Sequence, residues 1–527
     1  MSANEMNSKT AREAQQKKEA QRTNILYGAI AVLFLLLAVA VFVWKSNVIQ
    51  KHATAATLYY SAQTASADAS SSADGSTSAA DAEKTKLADV SVPQVNYYFT
   101  NIYQNFVQQN SSYISYLGLD TSSDLRSQTY PGDETQTWFD YFMDQTLSQM
   151  SSIYALNKAA EEEGFAWNDT MQAELDSNLE NMKTSASAAG LSESKYLQRI
   201  YGATMTTGVY ESEMKQVILA SDFSQSHNDS LTYSAADLEA EYEANRNTYD
   251  VVDYQSLRID GAAESTTDAD GNTVDPTEEE TAAALAAASD KADALYADFQ
   301  SGSGMEALAD GDDKVSFTNG EAGSYSSSVV MDWLFDDARQ PGDSAVLADT
   351  DNSAYYVVTF SQRYRQETAT VDVRHILIQP ETGTIAEGED GYEDEQAQLK
   401  ADAKAKAEDI LAQWQAGDAT EESFGELAKE NTADSNGAQG GLYEQVYQGQ
   451  MVDTFNDWCF DSSRQPGDTG IVETSYGYHV MYFVGTNLPY WQVKVDSALR
   501  NTDFSAWYAD VTAGYTGEAA SGAKYVG

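Results

Sequence analysis

Two of the chain's four histidines, His375 and His479, stand in strand-like runs, "VDVRHILI" and "YHVMYFV". Imidazole is the side chain whose ordinary pKa lies near neutrality, so two on neighbouring strands could carry protons or orient a buried polar cluster. A lone strand histidine is usually structural. A pair with "TADS" between them and "ETSYGYH" running into the second is harder to assign to packing alone. The single cysteine, Cys459, excludes an internal disulfide and a multi-thiolate metal site. It occupies a position that a second copy of its surroundings fills with Leu334, an exchange that suits a buried apolar site better than a nucleophile.

That second copy introduces the elements that must position the histidines. "DWLFDDARQPGD" at 332–343 and "DWCFDSSRQPGD" at 457–468 agree at nine of twelve positions. In a chain with only seven prolines, so dense a match points to a duplicated module. Each copy opens on a short strand ("VVDYQSLRI", "VDVRHILI") and crosses an acidic stretch. Each then enters an Ala-rich helix ("ETAAALAAASDKADALYADF", "AQLKADAKAKAEDILAQW"), passes the repeated string and closes on a strand ("AYYVVTF", "YHVMYFV"). The expected modules are residues 251–365 and 366–486.

Upstream, "ILYGAIAVLFLLLAVAVFVW" from Ile25 to Trp44 is twenty residues without a charge. At 1.5 Å per residue that crosses a ~30 Å hydrocarbon core, and it is longer than the apolar part of a signal peptide. Lys9, Arg12, Lys17, Lys18 and Arg22 precede it, which predicts a cytoplasmic leader at 1–24, a transmembrane helix at 25–44 and the body outside. Residues 45–89 are dominated by Ala, Ser, Thr and Asp and predict a disordered linker. From 90 to 250 apolar residues recur three and four apart, which predicts an all-helical domain whose stripes form a packed core, with a cradle for unfolded chains as the alternative. Residues 487–527 read as a C-terminal helix and tail carrying Trp491 and Trp507. With 82 acids against 31 bases and a net charge of -51, the surface repels nucleic acid.

The second module resembles a parvulin-type peptidyl-prolyl cis/trans isomerase (rotamase). "VRHILI", "FGELAKENTADSNGAQGG", "GQMVDTF" and "TSYGYHVMYFV" follow the family's order over nearly all of 370–486. The layout of helical domain and parvulin modules is similar to the PrsA and SurA foldases of the bacterial envelope. Together with the transmembrane helix read above, the resemblance implies an α+β multidomain chain: an all-α SurA-like chaperone domain, two parvulin-like (FKBP-like) α/β modules and a C-terminal helix. Carried over, the facing histidines are His375 and His479, Asp434 takes the position held by Asp or Cys, and Thr474 is the hydroxyl beside them. Met451 and Phe455 match the apolar wall around the proline ring. Leu442 is a looser match, because the family has extra residues between Gly440-Gly441 and that leucine.

Such a site needs no metal or cofactor. Rotation about an Xaa-Pro bond meets a barrier of ~20 kcal/mol from amide resonance and breaks no bond. An apolar cup that fits the twisted amide better than either planar form, in a water-poor pocket, lowers it. The histidines then act as orienters of the pocket. The loop after the first strand, "ETGTIAEGEDGYEDEQ", has seven acids and no base, which predicts repulsion of phospho-Ser-Pro. The first copy has Ser256, Tyr356, Ser326 and Val330 where the second has His375, His479, Met451 and Phe455, so it is expected to be inactive and to serve spacing or client binding. With Ile25 to Trp44 as a single-pass anchor in place of the lipid-bearing cysteine of the family's lipoprotein members, the resemblance implies a membrane foldase acting on unfolded or newly secreted polypeptides. The alternatives are a holdase chaperone without catalysis and a surface structural protein.

Overall fold

The computed structural model describes residues 47–62, 84–268 and 271–527. The expected leader and the Ile25 to Trp44 segment lie outside the described residues. Among the described residues no helix is long and apolar enough to cross a membrane. The described residues form two compact units, one from those up to Thr232 together with Thr502–Gly527, the other from those of Tyr233–Asn501.

The first unit is built on the helices Val92–Gln109, Trp138–Glu163, Asp169–Ala188, Glu193–Tyr201 and Thr207–Ser230. Each starts at a Ser, Thr or Asn, the residue types whose side chains satisfy the first free backbone N–H groups. Their apolar faces meet in a core of Phe99, Trp138, Phe142, Met171, Leu175 and Met205. The unit is not all-helical. Strand Thr54–Tyr60 pairs antiparallel with Thr85–Ser91 on one side and with Tyr515–Ala519 on the other. The expected 45–89 linker therefore contains a short helix, Val48–Lys51, and the strand Thr54–Tyr60, and it runs into the strand Thr85–Ser91; the 487–527 tail ends in a strand and a short 3-10 helix after its helix Tyr490–Thr512. The reason is burial: Ala55, Ala56 and Leu58 are at most 4% exposed, against a partner more than 450 residues away. Local composition cannot report such a pairing.

The second unit holds two four-stranded antiparallel sheets with one topology. In the first the order is Val315–Ser324, Val251–Asp260, Ala354–Tyr364, Ser344–Asp349. In the second it is Leu442–Val446, Ala369–Ile378, Gly477–Pro489, Thr469–Thr474. Helices Tyr392–Ala416 and Glu421–Asn431 cover one face of the second sheet through Ile410, Trp414, Phe424 and Ala428, which meet Ile376, Ile378 and Val480. The short helix Asp453–Cys459 covers the other through Phe455 and Cys459.

The repeated string is the same piece of scaffold twice. The Arg339 guanidinium lies 4.6 Å over the Trp333 ring and Arg464 lies 4.1 Å over Trp458. Each arginine stands between two aspartates of its own string, Asp336 and Asp343 or Asp461 and Asp468. Gly342 N–H donates to Phe360 O and Gly467 N–H to Phe483 O, both at 2.8 Å, so each turn is stitched to its closing strand. Both glycines need positive φ, 89° and 91°. Cys459 is 1% exposed in this scaffold, and burial pushes its thiol up to about 12, which suits packing and not nucleophilic attack.

Candidate active site

Side chains alternate across a strand, so register decides which residues share a face. His375 stands opposite Met481, and His479 stands opposite Leu377 and Val472. Both imidazoles therefore project to the face covered by Phe455, and Thr474, two residues beyond Val472, joins them. His375 N–H donates to Gly441 O at 2.9 Å. Gly441 has φ 69°, and a Cβ there would run into the His375 carbonyl. The Gly-Gly turn thus lets the Leu442–Val446 strand lie against the histidine strand.

The polar groups form one chain. His479 Nε2 is 2.9 Å from Thr474 Oγ1, and His479 Nδ1 is 3.0 Å from His375 Nδ1. His375 Nε2 is 3.4 Å from Asp434 Oδ2, too long or too poorly aligned for a full hydrogen bond. The hydrogen positions follow from the ends. A proton on His375 Nε2 faces the carboxylate favourably, whereas a lone pair there would oppose it. His375 Nδ1 then accepts from His479 Nδ1–H, and His479 Nε2 accepts from the Thr474 hydroxyl. Thr474 Oγ1 has its own donor in Tyr476 N–H at 3.1 Å. Asp434 is held by Tyr443 OH at 3.2 Å and Asn436 N–H at 3.3 Å.

Electrostatics agree with two neutral imidazoles beside an ionised carboxylate. Burial pushes both imidazoles down from 6.5 to about 4; the charge of His479 also disfavours protonation of His375, and Asp434 opposes the shift in both. Burial would raise Asp434, but the His375 interaction and hydrogen bonds from Asn436, Tyr443 and Ser435 outweigh it and hold its carboxyl below the usual range. Unfolded histidines take up protons as pH falls below 6.5, while the folded pair resists until about 4. The stability contributed by the neutral pair is therefore full above pH 6.5 and is lost as pH falls from 6.5 toward 4, at up to about 1.4 kcal/mol per pH unit for each histidine. Hydrogen exchange at the His375 amide is expected to speed up across that window, after correction for intrinsic rates, and a His375→Gln, His479→Gln variant is expected to flatten the dependence.

The apolar wall is compact. Phe455 stands edge-on to His375 at 5.5 Å and 84° and to His479 at 5.3 Å and 85°. Met451, just before the same helix, packs on the same cluster. Leu442 is not brought here. It pairs opposite Arg374, whose side chain reaches Glu421 on the helix-covered face, so alternation turns Leu442 away from the histidines. Tyr443, one residue on, takes the place instead: its ring stacks on His375 at 5.1 Å and 20° while its hydroxyl holds Asp434. Strand alternation was the signal for Tyr443. A second residue not picked out from sequence is Thr432, whose Oγ1 accepts from Leu377 N–H at 3.0 Å and Asp434 N–H at 3.2 Å and so fixes the acid's backbone to the histidine strand. A threonine two residues before an aspartate is a turn signal of this kind.

The same register in the first sheet sets Ser256 opposite Val358 and Tyr356 opposite Leu347. Ser256 thus holds the place of His375 and Tyr356 that of His479. Asp349, at the end of its strand opposite Ala354, stands where Thr474 stands opposite Gly477. Val330 is buried with Val252, Leu334 and Val358, filling with core the position of Phe455.

Residues 355–485 match the family model of the PPIC-type PPIase domain. This part of the chain is a parvulin-type peptidyl-prolyl isomerase domain. Among solved structures, the chain is similar to the peptidylprolyl isomerase PrsA from Bacillus anthracis, with 17% identity over 28% of this chain and 58% of that one and a TM-score of 0.18. PrsA from Bacillus subtilis matches with 13% identity over 69% and 80% of the two chains and a TM-score of 0.27. A structure titled for PEB4 and Cj1289, two SurA-like chaperones of Campylobacter jejuni, matches with 14% identity over 68% and 89% and a TM-score of 0.14. The chain thus spans 58% of the length of the Bacillus anthracis protein. No curated protein matches the chain.

Proposed function

We propose that the whole protein is an extracytoplasmic foldase. In this reading residues 25–44 anchor it by a single pass with the N-terminus cytoplasmic, the helical domain holds secreted or envelope polypeptides, and the second module isomerises their Xaa-Pro bonds. The uncharged Ile25 to Trp44 run behind five cations supports the anchor. The observation that carries the catalytic assignment is the chain Thr474–His479–His375–Asp434, two neutral imidazoles ending on a carboxylate, laid against Phe455 and Met451. Phe455, Met451 and Tyr443 hold the proline ring in a water-poor cup. His375 and His479, locked by their neighbours, keep the polar side of that cup in one geometry while the amide twists, and no proton moves. A prolyl bond has no N–H to satisfy, so the cup binds it without stranding a donor. The first module, with Ser256 and Tyr356 in the histidine places, spaces the unit or touches clients without turnover.

Glu381, Glu387, Glu389, Asp390, Glu393, Asp394 and Glu395 follow the histidine strand with no base among them. Phosphate before the proline is therefore disfavoured. Turnover of an Ala-Pro peptide is expected to exceed that of its phospho-Ser-Pro counterpart at least tenfold in kcat/KM, measured by protease-coupled assay. Equal turnover would reject the specificity, and no turnover of either would leave a holdase chaperone, the second reading.

A further inference from the structure

Helix Thr207–Ser230 buries an acid, Glu213, that forms no ion pair among the described residues. Glu213 is 6% exposed, and no cationic side chain of the described residues contributes to its environment. Gln94 Nε2–H donates to Glu213 Oε1 at 2.8 Å and Tyr98 O–H donates to Oε2 at 3.1 Å. The Gln94 amide cannot turn around, because its own Oε1 accepts from Ser91 N–H at 3.1 Å and from Ser91 Oγ–H at 2.8 Å. A carboxylate offers about four acceptor positions, so roughly two remain open. Burial raises the Glu213 carboxyl above its ordinary range despite both donors, the mark of a buried carboxylate lacking a counter-charge.

Glu213 also borders a 230 Å³ pocket whose apolar walls include Leu58, Val90, Met150 and Ile153. Asp89, which also lines it, is already paired with Lys86 at 2.7 Å. The volume falls below the ~300–1,000 Å³ of sites for drug-sized molecules and suits one long side chain. The connecting segment 63–83 contains no lysine or arginine, so it cannot supply the cation. At a net charge of -51, the protein's field favours approach of basic chains.

We infer that this pocket receives the lysine or arginine side chain of an extended client peptide, the aliphatic stem lying on Leu58, Val90, Met150 and Ile153 and the cation on Glu213. Lysine and arginine bury their stems readily when the head group finds a partner, and a charge-assisted hydrogen bond supplies one. The site gives the helical unit a preference that apolar packing alone would not.

The inference rests on client binding by this unit and not on isomerase turnover. The test is binding of a fluorescein-labelled nonapeptide with one lysine among leucines and alanines, and of its norleucine counterpart, to the purified full chain by anisotropy. The lysine peptide is expected to bind at least fivefold more tightly. That preference should vanish in Glu213→Gln, and also in Ala88→Trp, which fills the pocket and leaves the acid in place, with Xaa-Pro turnover unchanged in both. If Glu213→Gln unfolds by circular dichroism, Ala88→Trp decides. Equal binding of the two peptides by the unaltered chain, or a preference that survives both substitutions, overturns the pocket. Failure to bind either peptide overturns client binding by the unit as well.

Discussion

Xaa-Pro turnover by this protein is expected to fall about a hundredfold in kcat/KM when His375 is replaced by alanine, and to stay unchanged when Ser256 is replaced by alanine. His375 is 1% exposed and meets four other groups of the site. Its Nδ1 accepts from His479, its ring stacks with Tyr443 and stands edge-on to Phe455, and its Nε2 faces Asp434. Removing it strands the His479 donor, takes the stacking partner from Tyr443 and opens a cavity beside the proline cup. A buried donor left without a partner costs about 1–3 kcal/mol, and a hundredfold rate loss corresponds to about 2.7 kcal/mol. Ser256 holds the same register position in a module without imidazoles, so its loss removes nothing a proline would feel. Protease-coupled kinetics, with circular dichroism confirming that both variants fold, makes the comparison. Turnover retained in His375→Ala, or lost in Ser256→Ala, would place catalysis elsewhere.

Gly441→Ala should destabilise the isomerase module by 3 kcal/mol or more, lowering its thermal midpoint by over ~10 °C, while Gly449→Ala should cost only about 1 kcal/mol. Both glycines have positive φ, 69° and 91°, so both substitutions carry the left-handed penalty. They differ in what a Cβ meets. At Gly449 nothing lies within 4 Å, whereas at Gly441 it would overlap the His375 carbonyl and press on Ala428. A backbone carbonyl inside a sheet cannot yield without breaking the His375 N–H to Gly441 O bond that holds the two strands together. The difference between the variants therefore isolates the overlap from the backbone strain. Similar midpoints for both would mean the turn can shift at little cost, and the close approach of the two strands would then have no role in holding His375.

Much of the second unit is legible in sequence because its signals are local. Period-2 runs around His375 and His479 predict two strands, and they are central neighbours in the sheet. The repeated Asp-Trp string predicts a shared helix end and turn, and Trp458 with Arg464 and Trp333 with Arg339 repeat one geometry. The first-module substitutions Ser256 and Tyr356 are also readable by alignment, since matching element order keeps the register of both copies.

What the sequence determined by itself, then, was the two histidine strands and the duplication, because strand period and turn chemistry are properties of neighbouring residues; Asp434 and Thr474 were reached through the resemblance to the parvulin pattern. Only the tertiary structure decided that Tyr443 and not Leu442 faces the histidines, since one step of register reverses the face. The tertiary structure alone also set the strand Thr54–Tyr60 between Thr85–Ser91 and Tyr515–Ala519. That strand is stabilised by burial against a partner at the far end of the chain, and no window of local sequence contains both halves of such a contact.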